Sequence, residues 1–250
     1  MKKLLLLDNR YSADSNDIKK VANKLGWATE RTNLYQVEGH CVGYDLVRYY
    51  GNTLHYAGLQ TQKLPFAIHD IDPQILPSLK SFIKREMSCL LFQDLKQPIE
   101  KKQFIKPCRE KWFPAQVYSP GETILGAPNG GDEIYTSDPV KFIDEVRCFV
   151  LYGKILTSSL YRINSVVWDT TNEDPKNINF DSRINDTPIP EYCKKINQFY
   201  PCLKSVVMDF GLLESGEWAL IEFNECPFSG LYYTDYEKAF ECIINAQYDK

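Results

Sequence analysis

Short apolar runs alternate with polar and amphipathic segments along the first third of the chain. This pattern predicts strands over 2–7, 27–33 and 46–50, a polar loop over 8–16, and helices over 17–25 and 54–59. Gly26 is expected to end the first helix, since glycine tolerates the left-handed backbone that follows many helices. Strands that alternate with helices favour an open sheet with flanking helices. We therefore expect a small α/β domain over residues 1–85.

The apolar spacing changes in the rest of the chain to that of short strands. It predicts a linking helix over 78–87 that starts at Pro77, strands over 103–106, 146–151 and 155–160, a helix over 190–197, and strands over 205–210 and 218–222 joined as a hairpin. Antiparallel pairing is the simplest account of strands this short and close. The chain is thus predicted to be of the α+β class, with a second domain over 86–250.

Composition and charge narrow the classes of partner. The 250 residues carry 29 Lys and Arg against 33 Asp and Glu, a formal net charge of −4. No broad basic field is available to attract a nucleic acid or an anionic membrane, so any site for a polyanion must be local. The apolar run at Leu4–Leu7 is too short for a signal peptide and is expected to be a buried strand, and no run is long enough to span a membrane.

Cysteine and histidine usage argues against a disulfide framework and against a zinc site. The eight cysteines form no Cys-x-x-Cys pair, and the three histidines show no metal-ligand spacing. Free thiols are typical of a reducing compartment, so a cytoplasmic location is expected.

The predicted hairpin at 205–222 carries the most informative polar side chains. Asp209 ends one strand, and Glu222 and Asn224 end the other. Glu222 and Asn224 point to one face because side chains alternate along a strand, and Asp209 can face them across the pair. Two carboxylates and an amide oxygen suit magnesium. The alternative is an edge hairpin with exposed acids. A restriction-type nuclease would need a lysine where Asn224 stands, which disfavours that class.

Three basic residues are candidates for binding phosphate. Lys106 ends the apolar strand Phe-Ile-Lys-Pro, and Arg147 and Arg162 lie on or beside two later strands. Arginine can hold phosphate oxygens through two hydrogen bonds, and lysine as a point charge. Each has a simpler alternative: Lys106 as a surface lysine, and the arginines as surface ion-pair partners. Between them, a loop over 109–131 contains four glycines of the kind that can close over a nucleotide, and the extended stretch 134–140 could pair its backbone with an adenine edge.

The order of these motifs resembles that of the ATP-grasp superfamily. The chain offers Phe-Ile-Lys-Pro, a glycine-bearing loop, Glu-x-Arg-x-Phe-Val, Tyr-Arg, and then an Asp followed thirteen residues later by Glu-x-Asn. More narrowly it is similar to a small bacterial and phage clade marked by two arginines and a lysine, related to the RimK-like glutamate ligases. The resemblance covers residues 103–232.

The resemblance implies an ATP-grasp fold, in which two α+β subdomains clamp ATP after a small pre-ATP-grasp domain at 1–85. Within 86–250 it assigns the lysine strand and loop to 103–140 and the metal-binding subdomain to 141–250. It implies that Lys106 binds the α and β phosphates, that the backbone of 137–140 receives adenine, and that Asp138 binds the ribose. The cofactor-binding set is Lys106, Ser137, Asp138 and Val140; the catalytic pair Arg147 and Arg162 holds the γ-phosphate and the acyl phosphate; the magnesium ligands are Asp209, Glu222 and Asn224.

The implied reaction is ATP-dependent joining of a carboxylate to an amine through an acyl phosphate, with Mg²⁺. The implied partners are ATP, a carboxylate substrate and an amine acceptor that is an amino acid, a peptide or a protein, with no nucleic acid or membrane. The acceptor pocket is expected near residues 9–11, 49–52 and 228–233. Two alternatives stay open: a small-molecule kinase with the same fold, and a nucleotide-binding module without turnover. The sequence does not indicate the oligomeric state, nor which of Lys96, Lys101 or Lys102 acts beside Lys106.

Overall fold

The computed structural model describes residues 1–33, 37–109, 112–125, 131–164, 166–167 and 179–250. The chain forms two compact units. Unit 1 comprises Met1–Ile71, Asp144–Phe210 and Glu222–Lys250, and unit 2 comprises Asp72–Ile143 and Gly211–Ile221. The domain boundary predicted between residues 85 and 86 stays a prediction, since these units are defined by how compactly the chain packs and each is built from separate segments. Of the predicted glycine loop, Gly126 and Gly130 lie outside the described residues.

The elements up to residue 137 are, in chain order, β1 (Lys3–Leu7), α1 (Ala13–Lys24), β2 (Ala28–Arg31), α2 (Val37–Cys41), β3 (Leu46–Tyr50), α3 (Thr53–Leu59), β4 (Phe66–Ile68), α4 (Ile75–Ser78), α5 (Lys80–Ile83), β5 (Met87–Leu91), β6 (Gln103–Pro107), β7 (Gln116–Tyr118) and β8 (Glu133–Ser137). They continue with β9 (Phe142–Leu151), β10 (Lys154–Ile163), β11 (Val166–Val167), α6 (Ile189–Phe199), β12 (Ser205–Leu213), β13 (Trp218–Asn224), α7 (Tyr236–Asn245) and β14 (Gln247–Asp249). Mixed parallel and antiparallel sheets with helices confirm the predicted α+β class.

Unit 1 begins with a three-stranded parallel sheet in the order β2-β1-β3. The leucines of β1 are all inaccessible: Leu5 and Leu7 pack into a core with α1 and α7, and Leu4 and Leu6 pack into a second core with α3. Both faces are covered, which is why β1 reads as a continuous apolar run rather than an alternating one.

Helix α1 begins at Ala13, four residues before the predicted start. Ser12 is its N-cap, and the side chains of Ser12 and Ser15 accept from each other's backbone N–H groups as a capping box. This local pairing turns part of the predicted polar loop into the first helical turn. Gly26 follows the helix with φ +77, as predicted for its stop.

Unit 1 also contains most of a five-stranded sheet in the order β11-β10-β9-β12-β13. β9 and β10 pair in antiparallel fashion, as predicted, with one bulge between Ile155 and Thr157 and another between Leu160 and Arg162. Phe149 of β9 and Val207 of β12 share the core that contains Leu5 of β1. The first strand and this sheet therefore belong to one hydrophobic core.

Unit 2 is built on an antiparallel sheet in the order β5-β8-β6-β7, with its own apolar core around Phe92, Ile105 and Tyr118. The predicted helix over 78–87 is wrong. Helix α4 already ends at Ser78, α5 covers only Lys80–Ile83, Lys84 ends α5 in a left-handed conformation, and Met87 starts β5. Among the described residues, no helix has the length and apolar character needed to cross a bilayer.

Candidate active site

Neighbouring strands of unit 1 carry five of the predicted site residues. Arg162 lies on β10, Arg147 on β9, Asp209 on β12, and Glu222 and Asn224 on β13, in the spatial order of those strands. The four other predicted residues, Lys106, Ser137, Asp138 and Val140, lie in unit 2.

Arg147 and Asp209 form a buried two-pronged ion pair. Arg147 Nε donates to Asp209 Oδ1 at 2.9 Å, and Nη2 donates to Oδ2 at 2.7 Å. The third guanidinium nitrogen, Nη1, donates to the carbonyl of Gly230 at 3.2 Å. Asp209 is inaccessible and Arg147 is 8% exposed. Arg147 is therefore not the surface ion-pair partner that its sequence context also allowed.

The protonation of this pair is set by competing effects. The pKa of Asp209 is raised to about 6: burial raises it most, the charge and hydrogen bonds of Arg147 oppose this, and the nearby carboxylates Glu222 and Glu145 add to the rise. Burial opposes the charge on Arg147, but its contacts with Asp209 outweigh that effect and raise the pKa of the guanidinium. The guanidinium thus stays charged and fixes the carboxylate in place.

Asn224 links the acids of the two strands. Its Nδ2 donates to Asp209 Oδ2 and to Glu222 Oε1, both at 3.1 Å. Asp209 Oδ2 and Glu222 Oε1 therefore lie close to each other, since both accept from the same nitrogen.

The donor chemistry of these three residues fits magnesium, which prefers carboxylate and amide oxygens. The arrangement itself is one of internal hydrogen bonds, because the amide hydrogens of Asn224 face the carboxylates and Arg147 engages both oxygens of Asp209. A turn of the Asn224 amide about its last side-chain bond would present its oxygen instead. In the described part of the chain, no group of three or more His, Cys, Asp or Glu side chains is arranged to hold a metal.

Glu145 is a site residue that the sequence analysis missed. It is buried on β9, where its Oε1 accepts from Arg162 Nη1 and its Oε2 from the hydroxyl of Tyr161, each at 2.5 Å. The bulge in β10 places both Tyr161 and Arg162 opposite Glu145. The signal was present in Glu-x-Arg, since residues two apart on a strand share a face.

Arg162 is less enclosed than Arg147. Its side chain is 35% exposed, and its Nε is buried without a hydrogen-bond acceptor among the described residues. A buried donor without an acceptor costs free energy, so the arginine is less well satisfied than Arg147.

The predicted nucleotide residues of unit 2 lie on β6, at the end of β8 and directly after it. Lys106 pairs with Tyr135 across β6 and β8, and its Nζ lies 5.6 Å from the centre of that ring. Ser137 is buried, and its hydroxyl donates to the carbonyl of Asp138 at 3.2 Å. The Asp138 amide donates to the Glu86 carbonyl at 3.2 Å, and its carboxylate lies 3.9 Å from Lys101.

Two of the three segments predicted to line an acceptor pocket meet in unit 1. The Gly51 amide donates to the carbonyl of Pro227 at 3.0 Å, and the Tyr50 hydroxyl donates to the carbonyl of Ser229 at 3.1 Å. The third segment, 9–11, is held by Arg31, whose Nη1 donates to the carbonyl of Arg10 at 2.8 Å.

A separate cleft of about 590 Å³ lies in unit 1, where the turn at Tyr152 and Gly153 meets α6 and α7. It is lined by three lysines, Lys154, Lys194 and Lys238. None of the predicted site residues lines it.

Comparison with protein families matches residues 82–242 to the family described as ATP-grasp domain, R2K clade family 2. A search of curated protein sequences finds no match.

Three solved structures of similar fold are distant in sequence. The D-cycloserine synthetase DcsG is 10% identical, with a TM-score of 0.60 over 97% of this chain and 99% of that one. D-alanine–D-alanine ligase from Bacillus anthracis is 12% identical, with a TM-score of 0.51 over 98% and 97%. The ATP-grasp ligase PsnB, complexed with a minimal precursor, is 8% identical, with a TM-score of 0.51 over 98% and 99%. At these identities the likeness concerns the fold alone.

Proposed function

Because the chain belongs to the ATP-grasp superfamily, in family 2 of the R2K clade, we propose that it is an ATP- and Mg²⁺-dependent ligase that joins a carboxylate to an amine. The resemblance read from the sequence, to the superfamily and to the clade with two arginines and a lysine, is confirmed, and so is the ATP-grasp fold. The bond formed, the metal and the role of each residue are parts of the proposal.

The observation that carries the proposal is the meeting of two guanidinium groups with three carboxylates on adjacent strands of unit 1. Arg147 and Arg162 stand beside Glu145 and Asp209 at 2.5–2.9 Å, and Asn224 joins Glu222 to the same cluster. Phosphoryl transfer depends on fixed positive charge around the moving group rather than on a protein nucleophile. A cluster of this kind supports that chemistry.

The proposed reaction has two steps. An oxygen of the substrate carboxylate bonds to the γ-phosphorus of ATP, and the bond to the β,γ-bridging oxygen breaks, which gives an acyl phosphate and ADP. The amine nitrogen then bonds to the acyl carbon and loses a proton, while the carbon–oxygen bond breaks and phosphate leaves. Solved structures of this fold include a D-alanine–D-alanine ligase and a ligase complexed with a precursor, which supports a ligase that acts on an amino acid, a peptide or a protein.

Within the site, Arg162 and Arg147 have different proposed roles. Arg162 contacts the transferred phosphoryl group, because its side chain is 35% exposed and part of it is accessible to a ligand. Arg147 holds Asp209 in place and adds positive charge beside it. Both act by orienting and neutralising negative charge in a site of low polarity.

Asp209, Glu222 and Asn224 are the proposed magnesium ligands. When bound, the ion would neutralise phosphate charge and orient the phosphate oxygens. The chain's own contribution is to hold Asp209 rigidly through Arg147 and to keep Glu222 beside it through Asn224.

The nucleotide roles of unit 2 complete the proposal. Lys106 binds the α and β phosphates, and Asp138 binds the ribose. Asp138 already gives its amide to Glu86, and Pro139 has no N–H, so Val140 supplies the backbone donor for adenine from this segment.

Hydroxylamine trapping tests the reaction class. The purified protein is incubated with Mg-ATP, hydroxylamine and pools of amino acids and short peptides, and ADP and hydroxamate are measured. A competent substrate should give both products. Replacement of Glu222 by Gln should lower ADP release about 100-fold, because it weakens a ligand of the ion that would neutralise the transition-state charge.

Glu214→Gln is the matched control. Glu214 lies between β12 and β13 in an exposed ion pair with Lys141 at 2.7 Å, and this variant should keep its activity. ADP formation with a stable phosphoester and no hydroxamate would contradict the ligase and indicate a kinase. Mg-ATP binding with no ADP from any pool would indicate a module without turnover, and an unaffected Glu222→Gln enzyme would refute the magnesium role.

A further inference from the structure

Residues 229–233, here called the tyrosine loop, are tied to three other parts of unit 1. Asp14 Oδ2 accepts from the Leu231 amide at 3.0 Å across 217 residues of sequence. Tyr50 donates its hydroxyl to the carbonyl of Ser229 at 3.1 Å, and the Ser159 hydroxyl donates to the carbonyl of Tyr232. These bonds reach the loop from α1, β3 and β10.

The backbone of the tyrosine loop needs such support. Tyr232 has φ +44 and Tyr233 has φ +61, both in the left-handed region that side chains rarely adopt. Consecutive residues in this region persist where the surrounding structure holds them in place.

The loop is in direct contact with Arg147. The Gly230 carbonyl accepts from Arg147 Nη1 at 3.2 Å, and the Tyr232 ring lies 4.9 Å from the guanidinium carbon. The same ring stacks on Tyr161 at 5.0 Å between centroids with 22° between planes. A displaced loop would therefore remove a hydrogen bond and an aromatic contact from the arginine that fixes Asp209.

Asp14, which holds the tyrosine loop through Leu231, is not part of any motif found in the sequence. It lies in the first turn of α1, where the helix dipole favours a carboxylate and the capping box of Ser12 fixes the backbone. Burial raises its pKa, the Leu231 amide opposes this, Asp17 adds to it and the charge of Arg147 opposes it. The group is thus half-buried, close to Arg147, and bonded to the loop.

We infer that Asp14 is a positioning residue for the proposed reaction: its carboxylate holds the tyrosine loop, and the loop holds Arg147 against Asp209. The inference rests on the proposed function for its effect on turnover, but its structural part does not. What the loop requires of residue 14 is a hydrogen-bond acceptor for Leu231, not a charge. An asparagine can offer the same acceptor, whereas an alanine cannot.

The test compares Asp14→Ala and Asp14→Asn with the control Asp17→Ala. Asp17 lies on the same helix and pairs with Lys20 at 2.8 Å, outside the loop contacts. Hydrogen exchange of segment 229–233, followed by mass spectrometry, should be about tenfold faster in Asp14→Ala, as expected when the Leu231 amide loses its hydrogen-bond acceptor. Asp14→Asn and Asp17→Ala should match the native protein.

Steady-state ADP release supplies the second measurement. Asp14→Ala should lower kcat about tenfold with KM for ATP unchanged, because the tyrosine loop contacts Arg147, whereas the residues proposed to bind the nucleotide lie in unit 2. Asp14→Asn should restore the native kcat. Loss of activity in Asp14→Asn equal to that in Asp14→Ala would overturn the inference, since it would assign the role to the charge.

Unchanged exchange in Asp14→Ala would also overturn it. Should that variant fail to fold, Asp14→Leu takes its place: it keeps a side chain of similar size without an acceptor for the Leu231 amide and should speed exchange of the same segment, and no change there would refute the inference. Failure of the proposed function looks different, because a native protein without ADP release still reports on the loop through exchange.

Discussion

The two arginines of the candidate site are set in opposite ways. Arg147 is buried, and its guanidinium donates to both oxygens of Asp209 and to a backbone carbonyl. Arg162 is 35% exposed, donates one hydrogen bond to Glu145, and keeps a buried Nε without an acceptor among the described residues. The difference indicates that two residues of the same type have different roles: Arg147 holds the site together, and Arg162 is available to a ligand.

The largest effect is expected when the ion pair between Arg147 and Asp209 is broken. Replacement of Arg147 by Met should leave Asp209 buried without its partner and lower the free energy of unfolding by about 3–5 kcal/mol. Chemical denaturation followed by tryptophan fluorescence measures the change. The double variant Arg147→Met, Asp209→Leu should regain most of the stability, because no uncompensated charge is left. Native stability of the single variant would contradict the structural role given to Arg147.

Features of the fold and of the site that depend on periodic patterns along the chain could be predicted from the sequence. The strand over 46–50 is found at its predicted bounds, because its apolar run is buried in the sheet. The positions of Asp209, Glu222 and Asn224 on a hairpin followed from alternation along strands. Such periodic features depend on neighbours in sequence and can therefore be read from it.

What could not be read depends on register and on distant partners. The bulge that sets both Tyr161 and Arg162 opposite Glu145 changes the count of residues between two strands, and no local pattern marks it. The pairing of Arg147 with Asp209 joins residues 62 apart, so it decides between a buried and a surface arginine only once the sheet is known. The predicted helix over 78–87 failed because Lys84 ends α5 in a left-handed conformation that its side chain did not signal.

The second prediction concerns the open arginine. Replacement of Arg162 by Gln should lower the rate of ADP release about 100-fold, as for the loss of one donor to transition-state charge. The free energy of unfolding should fall by less than in Arg147→Met, because a glutamine amide can still donate to the buried Glu145 and the Tyr161 hydroxyl keeps its bond to that carboxylate. Activity and denaturation are measured on the same preparation. Arg183→Gln, at an exposed arginine of unit 1, is the control and should change neither.

The opposite outcome for Arg162→Gln would exchange the roles given to the two arginines. An Arg162→Gln protein that is strongly destabilised but keeps its turnover would make Arg162 the structural arginine. Retention of both properties would remove Arg162 from the site.

The smallest expected effect comes from Tyr161, which acts on Arg162 through Glu145. Its hydroxyl donates to Glu145 Oε2 at 2.5 Å, while Arg162 donates to Oε1 of the same carboxylate. Tyr161→Phe keeps the ring that stacks on Tyr232 and removes only the hydroxyl, so turnover should fall about tenfold, near the lower end of the range for a hydrogen bond to a charged group. In the double variant Tyr161→Phe, Arg162→Gln the rate of ADP release should equal that of Arg162→Gln alone, because residues that act through one another are not additive. Additive losses would mean that Tyr161 contacts the substrate independently, and the bulge would then present two functional side chains instead of one arginine and its support.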